Sequence, residues 1–181
     1  GEVEYDSRAD DVYVQGTDSK TVSITETSGG NFEALDKTST ATVTVKDDSD
    51  VTKITLTGSE VKEGEKVVIT ATVEKPVTGS DLVITLDNGE KITIPVGEST
   101  GEVEYDSRAD DVYVQGTDST TVKISGTSGG NYEALDTTDT TTVTVRDDND
   151  PTKITLTGSD VNEGGQITIT ATVGKPVTES D

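Results

Sequence analysis

Residues 53–96 read KITLTGSEVKEGEKVVITATVEKPVTGSDLVITLDNGEKITIPV, and apolar residues recur in them at alternate positions. Ile54 and Leu56 share one side of a first run, and Val67, Ile69, Ala71 and Val73 share one side of a second. Leu82, Ile84 and Leu86 line a third run; Ile92, Ile94 and Val96 line a fourth. A period of two belongs to an extended chain with one buried face. Further out, Val103 with Tyr105, Val122 with Ile124 and Val143 with Val145 continue the pattern. Strands are therefore predicted over 53–58, 66–74, 81–86, 90–96, 101–105, 120–126 and 141–146, with no helical period anywhere. Seven short alternating strands in such a length is the pattern of an immunoglobulin-like β-sandwich. The chain lacks Cys and Trp, so the antibody-type core is excluded. Asn88-Gly89 between two alternating runs predicts a two-residue type I′ hairpin. Segments 106–119 and 127–140 lack alternation and read as long loops. Val112-Tyr113-Val114 in the first is expected to tuck inward.

The chain also repeats itself. Residues 1–19, GEVEYDSRADDVYVQGTDS, recur letter for letter at 101–119, and 19 of the 81 positions aligned at this offset differ. A period of 100 residues is one small domain long. The expected class is thus all-β, with tandem Ig-like β-sandwich repeats of about seven strands. A window on 1–100 is as compatible with the period as one on 51–150. Asp147-Asp148-Asn149-Asp150-Pro151 reads as a linker, because its proline cannot continue a central strand, and Asp47-Asp48-Ser49-Asp50 is its counterpart. That favours 51–150 as the complete repeat. Residues 1–50 then form the C-terminal half of a preceding repeat. Residues 151–181 form the N-terminal part of a following one: two strands and the start of a third.

Composition limits the function. A formal net charge of −22, from 36 acidic and 14 basic residues, repels nucleic acid and anionic membrane surfaces. Without Cys or His there is no disulfide, no thiolate chemistry and no imidazole base or ligand. No apolar run nears the roughly 20 residues of a membrane helix, so no membrane insertion is expected. The first residues show no signal-peptide pattern. Such acidity alone would read as disorder, but the regular apolar placement argues for a fold.

The strand order sorts the acids. Loops 60–65, 87–90 and 106–118 and the tail 147–150 are expected at one end, carrying most of the carboxylates. Two carboxylates about 5 Å apart at an effective dielectric near 20 repel by roughly 3 kcal/mol. A hard divalent cation removes that penalty, and Ca²⁺ accepts six to eight oxygens in flexible geometry. The candidate ligands are Glu63, Asp110, Asp111, Asp147, Asp148 and Asp150, with their counterparts Asp10, Asp11, Asp47, Asp48, Asp50 and Glu163. Scattered acids such as Glu74, Glu102 and Glu104 read as solvated surface. Neither an EF-hand loop nor a β-roll nonapeptide is present. Ser28-Gly29-Gly30-Asn31 is a phosphate loop only by glycine count. A glycosidase carboxylate pair is disfavoured by 3% aromatics and no Trp, and no enzyme is expected. Arg8 and Arg108 are expected to neutralise Asp6, Asp10 and their repeats.

The segments TLTGSEVKEGEKVVITATVEKPVT, LVITLDNGEKITIPVGESTGEV, ADDVYVQG and TSGGNYEAL closely resemble the repeats of giant bacterial adhesins of the LapA type. They also look like the extender region of the Marinomonas ice-binding adhesin. The resemblance covers the whole chain. It implies a secreted, cell-surface stalk of a type I-secreted (RTX-like) adhesin, as in biofilm adhesion. Ca²⁺ at domain junctions would stiffen the stalk, which would project a distal adhesion domain elsewhere in the protein. Its partners would be neighbouring repeats of the same chain. A looser similarity to Calx-β domains implies Ca²⁺ ligation by Glu63, Asp110, Asp111, Asp147, Asp148 and Asp150. The terminal run here is DDND, with Asn149 where that pattern has an acid. The alternative is an Ig-like module that binds a glycan or surface partner.

Overall fold

A computed structural model describes residues 1–178, and these are all-β, with thirteen strands and no helix. β1 (Asp18–Ser23) and β2 (Thr40–Val45) pair antiparallel in a sheet of their own, as do β12 (Ile154–Gly158) and β13 (Ile169–Val173). Four strands, β3 (Val51–Gly58), β5 (Lys66–Val73), β8 (Thr100–Asp106) and β10 (Ala134–Asp136), form a sheet of order β10-β3-β5-β8. Five more are β4 (Glu60–Lys62), β6 (Leu82–Leu86), β7 (Lys91–Ile94), β9 (Asp118–Ser128) and β11 (Thr140–Arg146); their order is β4-β11-β9-β6-β7.

Each of the two larger sheets buries one face, as in a β-sandwich. β3 buries Thr52, Ile54 and Leu56, and β5 buries Val67, Ile69, Ala71 and Val73. From the other sheet come Leu82, Ile84, Leu86, Ile92, Ile94, Val122 and Val143. Full burial of one such aliphatic side chain contributes roughly 1.5–3 kcal/mol. Among the described residues, the buried side chains all fall between Thr52 and Val143, and β1, β2, β12 and β13 bury none.

The chain divides into two compact units. One gathers Gly1–Leu56, Thr70–Val103 and Lys123–Thr140; the other gathers Thr57–Ile69, Glu104–Val122 and the chain from Thr141 onward. The first contains most of the core, with Val77 and Tyr132 added to it. The second contains Val67, Ile69, Val122, Val143 and the buried carboxylate of Glu63.

The seven expected strands are present with ends shifted by up to two residues, and two more lie in segments read as loop. β4 and β10 have three residues each, too few for alternation to show. Both are edge strands that pair in parallel, β10 with β3 and β4 with β11. Segment 127–140 is thus not a continuous loop, because β9 runs to Ser128 and β10 follows. The hairpin expectation fails by one residue. Leu86 N–H bonds the Glu90 carbonyl at 2.9 Å, Gly89 N–H bonds the Leu86 carbonyl at 3.1 Å, and Gly89 has a positive φ of 91°. This is a three-residue loop in which a left-handed glycine follows the turn. The reason is parity. Leu82↔Ile94 and Ile84↔Ile92 must face each other, and a two-residue turn would set Lys91 opposite buried Leu86. Val96 is 52% exposed, because β7 stops before Pro95, which has no N–H for the ladder. Val114 is 96% exposed rather than tucked in. The expected start of a third strand at the end of 151–181 lies outside the described residues.

Ile54 and Ile154 occupy equivalent positions of the repeat but are 0% and 65% exposed. Ile54→Ala should lower the unfolding free energy by about 2–5 kcal/mol. Ile154→Ala should lower it by less than about 0.5 kcal/mol in the same urea titrations. Asp136 accepts the Thr138 hydroxyl at 2.7 Å and its N–H at 2.9 Å, and these bonds hold its carboxyl below the ordinary value. A lowered folded pKa contributes stability above the unfolded carboxylate range and loses it as pH falls. Asp136→Asn should therefore flatten part of the acid limb of a Tm–pH profile and change nothing at its foot.

Candidate metal centre

The turn after β4 is fastened on both sides. Glu63 N–H donates to the Arg146 carbonyl and Gly64 N–H to the Arg108 carbonyl, each at 2.9 Å. Gly64 has φ +76°, and a Cβ there would sit 2.8 Å from the Asp110 Cβ. Only glycine lets this turn close onto Asp110. Glu63 is 4% exposed, and a carboxylate so deeply placed needs a partner. Arg108 supplies it, with Nε 2.9 Å from Glu63 Oε2. The same guanidinium donates through Nη1 to Asp118 at 2.7 Å and through Nη2 to the Gly116 carbonyl at 2.8 Å. It also lies 3.6 Å from Asp147 Oδ1. A planar fork of five N–H donors can serve all of these; an ammonium cannot. The bonds to Glu63 and then Asp118 push the Arg108 pKa further up, so it stays charged.

Around that anchor the acids converge. Glu63, Asp110 and Asp148 each bring one oxygen within 4.8 Å of the others. Asp148 Oδ1 is buried and has no hydrogen-bond partner. Burial, then Asp150 and Asp110, push the Asp148 carboxyl above its ordinary value, with Lys62 opposing. A cavity of ≈ 50 Å³ beside these groups is lined by Glu63, Asp111, Asp147, Asp148, Asn149 and Asp150, among others.

The first unit holds a related cluster. Asp10, Asp48 and Asp50 bring oxygens within 4.8 Å of one another. Asp10 and then Asp48 push the Asp50 carboxyl up. Arg8 donates to Asp18 at 3.1 Å, to Asp47 at 2.6 Å and to the Gly16 carbonyl at 2.8 Å. A cavity of ≈ 160 Å³ lies against Arg8, Asp10, Asp11, Gln15, Asp47 and Asp48.

The other acids singled out from the sequence fall elsewhere in these arrangements. Asp47 accepts the N–H groups of Gln15 at 2.7 Å and Gly16 at 3.1 Å; Asp147 accepts those of Gln115 at 2.9 Å and Gly116 at 3.4 Å. The Gln15 and Gln115 N–H bonds are the main reason both carboxyls lie below the ordinary value. Asp11 and Asp111 accept the Tyr13 and Tyr113 N–H groups at 2.8 and 2.7 Å, and the Gln15 and Gln115 side-chain amides. These four aspartates shape the loops that carry Asp10 and Asp110. Asp150 lines the cavity, and Glu163 is exposed at the turn equivalent to that of Glu63.

The two arginines do not pair with the aspartates nearest in sequence. Their guanidiniums reach carboxylates farther away along the chain: the exposed Asp18 and Asp118, and the less exposed Asp47, or Glu63 and Asp147. A desolvated partner attracts a cation more strongly than the exposed Asp6 or Asp110 can. Strand order places Asp118 at the acidic end but does not pair it with Arg108. The signal is a spacing: Arg8…Asp18…Asp47 recurs unchanged as Arg108…Asp118…Asp147.

A family model, the LapA domain, matches residues 1–48 and 50–148. The chain belongs to the LapA domain family. That membership gives it an adhesin-related function and an association with the cell surface. No curated protein matches the chain.

Within this LapA domain, Arg108→Met should leave Glu63 buried and unpaired. It should cost about 3–5 kcal/mol in chemical denaturation without added cation. Arg8→Met, whose partners are more exposed, should cost about 1 kcal/mol or less.

Proposed function

We propose that this chain is a structural extender of a large, secreted bacterial surface adhesin, whose Ig-like β-sandwich repeats are stiffened by Ca²⁺ at acidic junctions. The observation that carries this reading is the pair of carboxylate clusters, Asp10/Asp48/Asp50 and Glu63/Asp110/Asp148, in loops repeated at the period of the sequence. The complete repeat would be 51–150, flanked by parts of its neighbours. The confinement of buried side chains to that stretch supports this frame.

The donor set suits a hard cation. It offers carboxylate oxygens with no nitrogen or sulfur ligand from His or Cys. Asp148 has a buried oxygen without a partner, and Gly64 leaves the turn room to close on Asp110. Glu63, Asp110 and Asp148 would hold one ion, and Asp10, Asp48 and Asp50 another. The ion would cancel carboxylate repulsion that otherwise opposes folding of the junction. The repeats serve length and stiffness in this reading; they bind neighbouring repeats and carry out no catalysis, while a distal domain makes the adhesive contact.

Calorimetric titration of the chelated protein with CaCl₂ tests the proposal. Binding should be accompanied by a rise of ten degrees or more in Tm, and scattering should report a less flexible particle. MgCl₂ at the same concentration should give a smaller rise, because Mg²⁺ tolerates less irregular geometry. Asp148→Asn should weaken one class of site at least tenfold and leave the other unchanged. A chain with the same Tm in CaCl₂ and in excess chelator would not be a calcium-stiffened extender.

A further inference from the structure

The loop segment Val12–Val14 does not end in solvent: Val12 and Tyr13 are half-buried and only Val14 is exposed. Val14 N–H donates to the Asn131 carbonyl at 3.0 Å, and Glu133 N–H donates to the Val12 carbonyl at 3.0 Å. Tyr13 and Tyr132 form the antiparallel bridge between these two bonds. In such a non-hydrogen-bonded pair the side chains approach most closely. The two rings accordingly meet with centroids 5.6 Å apart. The Asn131 side-chain amide adds a bond to the Val14 carbonyl at 3.2 Å. Both phenols are anchored on one short stretch of backbone: Tyr13 donates to the Pro76 carbonyl at 2.7 Å and Tyr132 to the Lys75 carbonyl at 2.6 Å. Burial pushes the Tyr132 phenol up to about 12, so it remains a donor at neutral pH. The linker is tied to the same place, since Asp50 N–H donates to Glu133 Oε2 at 2.5 Å.

The period shows what this contact joins. Val112-Tyr113-Val114 repeats Val12-Tyr13-Val14, and Tyr113 donates to the Pro176 carbonyl at 2.9 Å, as Tyr13 does to Pro76. The counterpart of Asn131-Tyr132-Glu133 lies 100 residues earlier as Asn31-Phe32-Glu33, with Phe32 72% exposed.

We propose that a peptide plug and socket joins successive repeats independently of any cation. The plug is Val-Tyr-Val from the loop before β9; the socket is Asn-aromatic-Glu before β10, together with the Lys-Pro carbonyls after β5 of the next repeat. Val112–Val114 is then a plug whose partner is the Asn-aromatic-Glu segment of a following repeat. Asn31–Glu33 is the socket for a preceding one. Backbone pairing gives the joint its register, and the tyrosine hydroxyl makes it specific, as in other strand-addition contacts. The proposal uses the repeat frame of the preceding section but not its Ca²⁺ sites.

Distance measurement between spin labels tests it in the whole chain. The chain has no cysteine, so Thr21→Cys and Lys91→Cys, both exposed, place one label in each repeat. In CaCl₂ and in excess chelator alike, the distance distribution should be narrow. Tyr13→Ala should at least double its width, and so should Val14→Pro, which removes the bridging N–H while leaving the core intact by circular dichroism. Tyr113→Ala and Val114→Pro, the same changes one repeat later, should leave the width unchanged. Unchanged widths in both Tyr13→Ala and Val14→Pro would overturn the joint. So would a wild-type distribution that broadens fully on chelation, which would give the junction to the ions alone. Failure of the calcium reading shows separately, as absence of heat in the CaCl₂ titration.

Discussion

The guanidinium of Arg108 is the constraint on which the acidic loops depend. It binds a carboxylate that β4 and its turn have carried out of solvent, and from there it reaches the start of β9, the Gly116 carbonyl and the tail after β11. A buried ion pair is weak ground for claiming stability, since desolvation of both charges offsets most of their attraction. Its consequence is geometric. With Glu63 fixed, Gly64 closes on Asp110, and the tail must pass with Asp147 and Asp148 close by. Charges of one sign are thereby gathered around the Arg108 guanidinium, in an arrangement that repulsion alone would scatter.

Alternation made the sheets legible, because each aliphatic side chain that a strand buries must sit two residues from the next. Ile54 with Leu56 and Leu82 with Ile84 behave as that rule requires. The rule was also sufficient to size the β6–β7 loop. Leu86 and Ile92 are both buried and both even-numbered, so only an odd loop keeps them on one face. The Asn-Gly pair pointed to the commoner two-residue turn, and local turn chemistry lost to the register of the core. β4 and β10 were not legible, because a three-residue edge strand is defined by its partner's free hydrogen bonds and not by its own pattern.

The candidate site was legible in part for a related reason. Loop acids such as Asp110 and Asp148 can be placed at one pole by strand order alone. Which oxygens meet and which are occupied by backbone N–H groups depends on loop conformation. Asp147 and Asp148 are neighbours in sequence, yet the first accepts two amides and the second has an oxygen with none. Val112–Val114 looked like a core segment because it is apolar. Its equivalent at Val12–Val14 instead makes an isolated antiparallel bridge, through Tyr13, to Tyr132.

The spacing of plug and socket has a consequence for how the gene can change. Tyr13 to Pro76 and Tyr113 to Pro176 span the same number of residues, and the tract around each plug is identical over residues 1–19 and 101–119. If plug and socket join the repeats, removing or duplicating one whole period leaves each Val-Tyr-Val plug facing an Asn-aromatic-Glu socket, whose aromatic is Phe32 in one copy and Tyr132 in the other. In the proposed extender reading, the reach of an array would change by whole periods, without a new joint having to evolve.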